Sequence, residues 1–350
     1  MIWIRADANR EIGAGHVMRC LSIADALRDK GEEVLFLVAD ETAEKLLAER
    51  GQAYRVLHSD YRKLEQELPG LLSLLREEKP GLLLIDSYFV TKEYLRQVGE
   101  LVKTAYLDDY GTLPYPVDIL INYNIYGDQI DYKGMFSDST STAGMRLLLG
   151  SSYAPLRPEF SQATYVIKDQ VEKVLVTMGG SDRYNLTGQF LRQVFQDKEA
   201  CGLHYHVVSG AFNPYLSYLT EMSDRYKNIH LHQNVRNMAE LMCDCDLAVT
   251  AAGSTVYELC AVGIPILCFS FAENQRRIAE AFQKKSIAGF SCDYKKEGQA
   301  MFSKLLPRLK ELAENPALRQ DLSRRGRELV DGHGAERLAE QLLRGEHLEQ

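Results

Sequence analysis

Two α/β domains, each a Rossmann-like doubly wound parallel sheet, are predicted by three features of the sequence. Short apolar runs alternate with helical patterns along the whole chain. The strand-like runs are apolar on consecutive residues rather than on alternate ones, which marks strands buried on both faces. The rhythm breaks once near the middle and then restarts, and a chain of 350 residues exceeds what one hydrophobic core usually supports.

In the first half, strands are predicted at 2–5, 33–38 (Glu-Val-Leu-Phe-Leu-Val), 53–57, 82–86, 104–107 and 118–122, with helices near 16–30, 41–50, 60–77 and 91–102. Around 123–144 the pattern dissolves into Tyr, Gly, Asp, Ser and Thr, before a short apolar run at Met145–Leu149. Two prolines and lost periodicity make 151–170 the expected linker, leaving 1–150 and 171–350 as domains. Strands then fit at 173–178, 203–208, 228–232, 246–250 and 265–269. Helical stretches at 295–312, 315–325 and 334–344 close the chain, the last of them free to pack back on the N-terminal domain. Such sheets bind ligands at the carboxyl ends of their strands, so the expected site lies in a cleft between two facing domains.

The composition is 45% hydrophobic and 26% charged, with a net charge of −8 and no Lys/Arg block, which excludes a broad nucleic-acid footprint. Seven scattered cysteines, several in apolar runs, read as reduced thiols. Arg5 and Asp7 interrupt the first apolar run, so no signal peptide is expected, and no run approaches membrane-span length. A soluble, cytoplasmic protein is expected, and a monomer is compatible with this composition.

The segment Gly13-Ala-Gly15-His16 follows the first strand and opens an amphipathic helix. Its glycines permit a sharp turn and close approach of a ligand, and a histidine at a helix N-terminus can exchange protons near neutral pH. Three loops in the second half suit a nucleotide diphosphate. They are Met178-Gly-Gly180-Ser181-Asp182, Ala252-Gly253-Ser254-Thr255 and Phe271-Ala-Glu-Asn274-Gln275, each placed between a strand and a helix start. Any one of them could be a plain βα turn; three at successive strand ends point to a ligand. Glu258 lies one helical turn from Ser254 and Thr255, where its carboxylate could accept ribose hydroxyls. His204 with His206, and His230 with His232, alternate on single strand faces and read as sheet histidines rather than metal ligands.

Val235-Arg-Asn-Met-Ala-Glu-Leu-Met242, Cys245-Asp-Leu, Gly253-Ser-Thr, Glu258, Gly263-Ile-Pro and Asn274-Gln275 resemble the UDP-sugar-binding domain of MurG-type GT-B glycosyltransferases. Further matches narrow the resemblance. They are Arg5-Ala-Asp7, Gly13-x-Gly15-His16-x-Met-Arg19, Ile85-Asp86-Ser-Tyr88, Leu107-Asp108-Asp109, Gly179-Gly180-Ser181-Asp182 with Asn185, and Asp331-Gly-x-Gly-Ala-x-Arg337. Together they resemble the UDP-2,4-diacetamido-2,4,6-trideoxy-β-L-altropyranose hydrolases of pseudaminic acid biosynthesis and the related spore coat polysaccharide proteins.

The resemblance implies a GT-B-like fold and assigns roles residue by residue. His16 is implied as the general base for water. Ser181, Gly253, Ser254 and Thr255 are implied at the diphosphate, Glu258 at the ribose, the backbone near Val235 at the uracil, and Asn274 and Gln275 at the sugar or phosphate. Arg5, Asp7, Gly15 and Gly180 are counted among the substrate-binding residues. Asp86, Tyr88, Asp108 and Asp109 would line the sugar pocket, although the Asp108–Asp109 pair reads equally as a solvated turn. The implied partner is a small UDP-sugar, with no cofactor, metal or nucleic acid.

UDP is a good leaving group, so one base and one water suffice for an inverting displacement at C1 with C1–O cleavage. The alternative is a glycosyltransferase that passes the sugar to another acceptor. A non-catalytic nucleotide-sugar-binding module and a UDP-sugar 2-epimerase are further readings; the His16 motif speaks against the first, and the motifs of the second match less well.

Overall fold

The computed structural model describes residues 1–112, 115–135, 144–210 and 212–344. The chain forms two compact units: Met1–Leu156 together with the chain from His333 onward, and Arg157–Gly332.

Among its described residues the first unit holds seven strands: β1 (Ile2–Ala6), β2 (Val34–Val38), β3 (Ala53–Val56), β4 (Leu82–Asp86), β5 (Thr104–Leu107), β6 (Ile119–Asn122) and β7 (Arg146–Leu149). They pair in parallel in the order β3-β2-β1-β4-β5-β6-β7. Trp3, Leu37, Leu83 and Ile85 pack with Leu71, Leu75, Tyr94 and Val98 from the helices Leu68–Glu78 and Lys92–Gly99. Burying each such side chain contributes about 1.5–3 kcal/mol. The order reverses between β1 and β4, so the carboxyl ends of those neighbours form the crevice where doubly wound sheets take ligands.

The closing helix, Gly334–Leu343, buries Ala335, Leu338, Ala339 and Leu342 and packs on the first helix, Gly15–Asp29. Gly334 lies so close to Ala154 that a Cβ there would collide with the Ala154 backbone. Apolar burial and one glycine thus tie this helix into the N-terminal unit.

The second unit has β8 (Lys173–Thr177), β9 (His204–Ser209), β10 (Ile229–Gln233), β11 (Leu247–Ala251), β12 (Ile266–Phe269) and β13 (Ala288–Phe290), parallel in the order β10-β9-β8-β11-β12-β13. Its reversal falls between β8 and β11. The sequence pattern did not reveal β13: three residues containing a glycine, with shifted register against β12, carry no usable period. Gly298, at φ +57°, divides the stretch expected as one helix at 295–312 into Tyr294–Glu297 and Ala300–Glu314.

Residues 151–170, expected as a linker, are built into both units. Leu156 is buried, and Phe160 seats the short helix Pro158–Ser161 on the helices Met238–Asp244 and Thr255–Val262. Glu159 accepts the Met238 amide at 3.0 Å, and the Tyr165 hydroxyl donates to the Asp246 carbonyl at 3.0 Å. Within the irregular stretch at 123–144, a helical turn forms at Tyr132–Met135; residues 136–143 lie outside the described ones.

Candidate active site

At the carboxyl end of β1 the chain turns back on itself. The Asn9 side chain accepts the Glu11 and Ile12 amides, Asn9 and Gly13 bridge through their backbones, and Gly13 adopts φ +76°. This turn delivers the N-terminus of the helix Gly15–Asp29, which has no side-chain cap and no acidic residue in its first turn. A Cβ at Gly15 would meet open space, so no packing inside the chain requires glycine there. His16, in the first turn of this helix, is 4% exposed.

The imidazole faces the end of β4. His16 Nδ1 lies 2.6 Å from Asp86 Oδ1. Three residues further along the helix, on the same face, Arg19 forks onto that carboxylate, Nε to Oδ2 at 2.6 Å and Nη2 to Oδ1 at 2.5 Å. Its Nη1 reaches Asp109 Oδ1 at 2.9 Å and the Tyr123 hydroxyl at 2.9 Å. Tyr88 donates to Asp109 Oδ2 at 3.0 Å and packs edge-on against the His16 ring, with centroids 4.3 Å apart. Asn124 Nδ2 also reaches Asp109, at 3.2 Å. The carboxyl ends of β4, β5 and β6 and the start of the helix after β1 thus converge on one network.

Electrostatics fix the proton positions. Burial alone would push the Asp86 carboxyl up, but Arg19 and His16 outweigh burial and hold it well below the usual carboxylate range. Burial likewise opposes the charge on Arg19, and Asp109 and Asp86 more than restore it. An ionised Asp86 only accepts, so the hydrogen of this contact sits on His16 Nδ1, and Nε2 is the ring nitrogen not engaged by Asp86. In the neutral ring, that tautomer carries its lone pair on Nε2.

Asp108 and Asp109, which sequence alone left open as a solvated turn, are both buried. Asp108 binds the Tyr110 and Gly111 amides and the Tyr132 hydroxyl, and burial raises its carboxyl despite these donors. Its role is to hold the loop after β5, whereas Asp109 joins the His16 network. Asp86 is likewise buried, against His16 and Arg19.

Arg5 and Asp7 stand in a separate buried network. Arg5 is fully buried, and its Nε and Nη2 bind Glu67 at 2.8 and 2.9 Å while Nη1 binds Asp7 at 2.6 Å. The remaining Asp7 oxygen accepts the Ala39 amide at 2.7 Å, and Tyr94 and Ser59 complete Glu67. These groups are spent on one another, so the two residues brace β1 against its neighbours. The Arg5-x-Asp7 motif signals this brace, whose third member, Glu67, stands too far along the chain to be paired by spacing.

In the second unit the loop after β8 carries Gly179 (φ +79°), Gly180 and Ser181. Gly210, after β9, passes so close that a Cβ on it would strike Gly180 and Gly179 backbone. The helix that follows, Leu186–Val194, is capped from within. Asp182 accepts the Leu186 and Thr187 amides at 2.7 and 3.0 Å, and Asn185 accepts Gly188 at 3.2 Å. What this loop has left for an anion is the glycine backbone and the Ser181 hydroxyl.

The loop after β11 differs. The helix Thr255–Val262 begins with no side-chain cap, Ser254 is exposed, and a Cβ on Gly253 would meet open space. An uncapped N-terminus suits an anion. Glu258, half-buried on that helix, is raised by burial and by Glu159, with Arg157 and the Thr255 hydroxyl opposing. After β12, the helix Glu273–Lys284 also starts uncapped, and Gln275 Oε1 accepts the Phe271 amide at 3.0 Å, which tightens the turn and leaves its amide nitrogen as donor. Asn274 stands half-buried in the same turn. Val235 follows β10, between Asn234 (φ +50°) and the helix Met238–Asp244, which Asn237 caps. Gly180, Ser181, Gly253, Ser254, Thr255, Asn274 and Gln275 therefore stand at the carboxyl ends of β8, β11 and β12, on both sides of the sheet's reversal.

The four sheet histidines form two cross-strand pairs, His204 with His230 at 3.0 Å and His206 with His232 at 3.1 Å. Among the described residues no group of three or more His, Cys, Asp or Glu is placed to hold a metal ion, and no helix is long and apolar enough to cross a membrane.

No family model matches the chain. It is 29% identical over 304 residues to the uncharacterized protein MJ1062 of Methanocaldococcus jannaschii, covering 81% of this chain and 58% of that protein, so it spans less than two thirds of that relative. It is 27% identical over 296 residues to the UDP-2,4-diacetamido-2,4,6-trideoxy-beta-L-altropyranose hydrolase of Campylobacter jejuni, covering 84% of this chain and 99% of the relative. The spore coat polysaccharide biosynthesis protein SpsG of Bacillus subtilis is 26% identical over 338 residues, 95% of each chain. Among solved structures, spinosyn rhamnosyltransferase SpnG with spinosyn aglycone superposes with a TM-score of 0.64 at 16% identity, covering 97% of this chain and 99% of that one. MurG of Acinetobacter baumannii gives 0.62 at 13% identity, covering 98% and 99%. The fold is that of the GT-B class, and the chain is homologous along most of its length to the hydrolase and the spore coat protein.

Proposed function

We propose that this protein hydrolyses a UDP-sugar to UDP and free sugar, with His16 as the base that activates water. The observation that carries this reading is the contact between His16 Nδ1 and Asp86 Oδ1 at 2.6 Å, at the reversal point of the first sheet, which leaves Nε2 as a proton acceptor. Homology to an enzyme named for hydrolysis of a UDP-activated diacetamido trideoxy sugar supports the class of substrate.

In this reading the work is divided between the units. The loops around Gly180, Ser181, Gly253, Ser254 and Thr255 hold the diphosphate through backbone N–H groups and hydroxyls, Glu258 takes the ribose hydroxyls and the backbone at Val235 meets the uracil. Asn274 and Gln275 orient the glycosyl phosphate. Water attacks C1 opposite the departing UDP, its proton passes to His16 Nε2, the C1–O bond breaks and the anomeric configuration inverts. The imidazolium formed is stabilised by ionised Asp86.

UDP release from a panel of UDP-sugars, including the 2,4-diacetamido trideoxy compounds, tests the proposal when no acceptor is added. Turnover in heavy-oxygen water should place the label in the sugar. Label in UDP would contradict attack at C1, and release that depends on an added acceptor would make the protein a glycosyltransferase.

A further inference from the structure

We propose that Arg19 is a positioning residue that sets the basicity of His16 by neutralising the carboxylate on which the imidazole leans. The proposal rests on the reading of His16 as the base, and its test is built to fail separately from that reading.

His16 Nδ1 has two neighbours of opposite charge, Asp86 Oδ1 at 2.6 Å and Arg19 Nη2 at 3.2 Å. The same Oδ1 takes the Arg19 Nη2 bond at 2.5 Å, so cation and anion meet the imidazole as a closed pair. Around them stand Cys20 on the same helix, whose thiol points to Asp86 Oδ2 at 3.5 Å, Tyr88 after β4, Asp109 after β5 and Tyr123 after β6. Asp86, Arg19, Asp109 and Tyr123 are all less than one-tenth exposed, so solvent screens their charges little.

Two consequences follow for the base. An isolated carboxylate against Nδ1 would favour imidazolium strongly and leave Nε2 protonated when water arrives. Arg19 opposes that charge while leaving the hydrogen bond in place, so orientation and tautomer are kept and the lone pair on Nε2 stays available. The planar fork explains why arginine occupies the position. It binds both Asp86 oxygens, Asp109 and Tyr123 from one rigid group, which a lysine ammonium cannot reproduce.

The test is an NMR titration of the His16 imidazole in the full-length protein, assigned by the signal missing from His16→Asn. Arg19→Gln should raise the His16 midpoint by about 1–3 pH units, because Asp86 and Asp109 are left without their cation. Asp86→Asn should shift it the opposite way, and Arg19→Lys should fall nearer wild type, since the charge is retained. If Arg19→Gln does not fold, Arg19→Gln/Asp109→Asn relieves one buried carboxylate and should still raise the midpoint. A folded Arg19→Gln or double variant whose midpoint stays within about 0.3 units of wild type overturns the proposal. The reading of His16 as base fails on a different observation, namely wild-type turnover by His16→Asn. Where both hold, the acid limb of kcat/KM moves with the NMR midpoint in each variant, which a merely structural arginine would not produce.

Discussion

Replacing Asp86 by asparagine keeps the shape of the side chain and removes its charge, so it isolates what the carboxylate does for His16. Asp86 binds His16 Nδ1 at 2.6 Å and two Arg19 nitrogens at 2.6 and 2.5 Å, all in buried surroundings. In the variant Arg19 retains Asp109 as its one carboxylate partner in this network, and breaking a buried pair in this way costs about 3–5 kcal/mol. The chemical effect is separate. The amide no longer compels the proton onto Nδ1, and in the proposed mechanism the imidazolium formed during attack loses its counter-charge. Loss of both tautomer control and charge stabilisation should lower kcat by roughly 10³-fold, about 4 kcal/mol of barrier at 1.36 kcal/mol per decade. The loops proposed to hold the diphosphate belong to the other unit and, among the described residues, share no hydrogen-bond partner with Asp86, and UDP affinity should stay within about twofold of wild type. Stopped UDP-release assays at saturating UDP-sugar give kcat, calorimetry gives UDP affinity and a thermal melt reports the stability loss. A folded Asp86→Asn protein with kcat within about threefold of wild type would refute the assignment of Asp86 as the partner that prepares His16.

Arg5→Met should lower stability by about 3–5 kcal/mol, because Asp7 and Glu67 are left buried without their cation, while the folded fraction keeps its UDP affinity; a melt and a UDP titration separate this from a substrate-binding role. Glu258→Gln should weaken UDP binding by about 10–100-fold and leave pyrophosphate binding unchanged, as calorimetry with both ligands would show. Burial, with His230 and His232 beside it, depresses His206 to about 4, below its ordinary value near 6.5. The unfolded chain therefore binds the extra proton first, and stability should fall as pH drops from about 6.5 to 4, by about 1 kcal/mol after solvent screening. Melts across that range should flatten in His206→Gln, and an unaltered pH dependence would remove His206 as the cause.

Of the thirteen strands among the described residues, twelve left a mark in the sequence, the short run before β7 among them; the central ones are continuously apolar because both faces of a parallel sheet are covered, whereas β9 and β10 alternate with histidine. The exception, β13, is short, contains Gly289 and pairs with shifted register, so nothing periodic marks it. The sequence also exposed the loops at the ends of β8, β11 and β12, since glycine and hydroxyl residues between strand and helix carry their own local chemistry. Pairings between distant charges were less visible. Arg19 stands three residues from His16, a helical neighbour by spacing, but its partners Asp86 and Asp109 are 67 and 90 residues away, and topology alone brings them together. For the same reason Arg5 and Asp7 read as a ligand motif, because Glu67, 62 residues on from Arg5, closes their network from another element. The caps Asp182 and Asn185 are a third case: their spacing to the helix start was present, but whether the amides were left for a ligand or consumed internally depended on backbone angles, with φ +34° and +52° at the two residues.

In the proposed mechanism one imidazole, prepared by Asp86, activates water against a UDP-sugar whose diphosphate is held elsewhere. His16→Asn tests it most directly, with UDP binding measured by calorimetry and UDP release measured on the sugar that the wild-type protein turns over. UDP affinity should stay within about twofold of wild type and kcat should fall roughly 10²–10⁴-fold, the contribution expected of a general base. Wild-type turnover in a folded His16→Asn protein would contradict it.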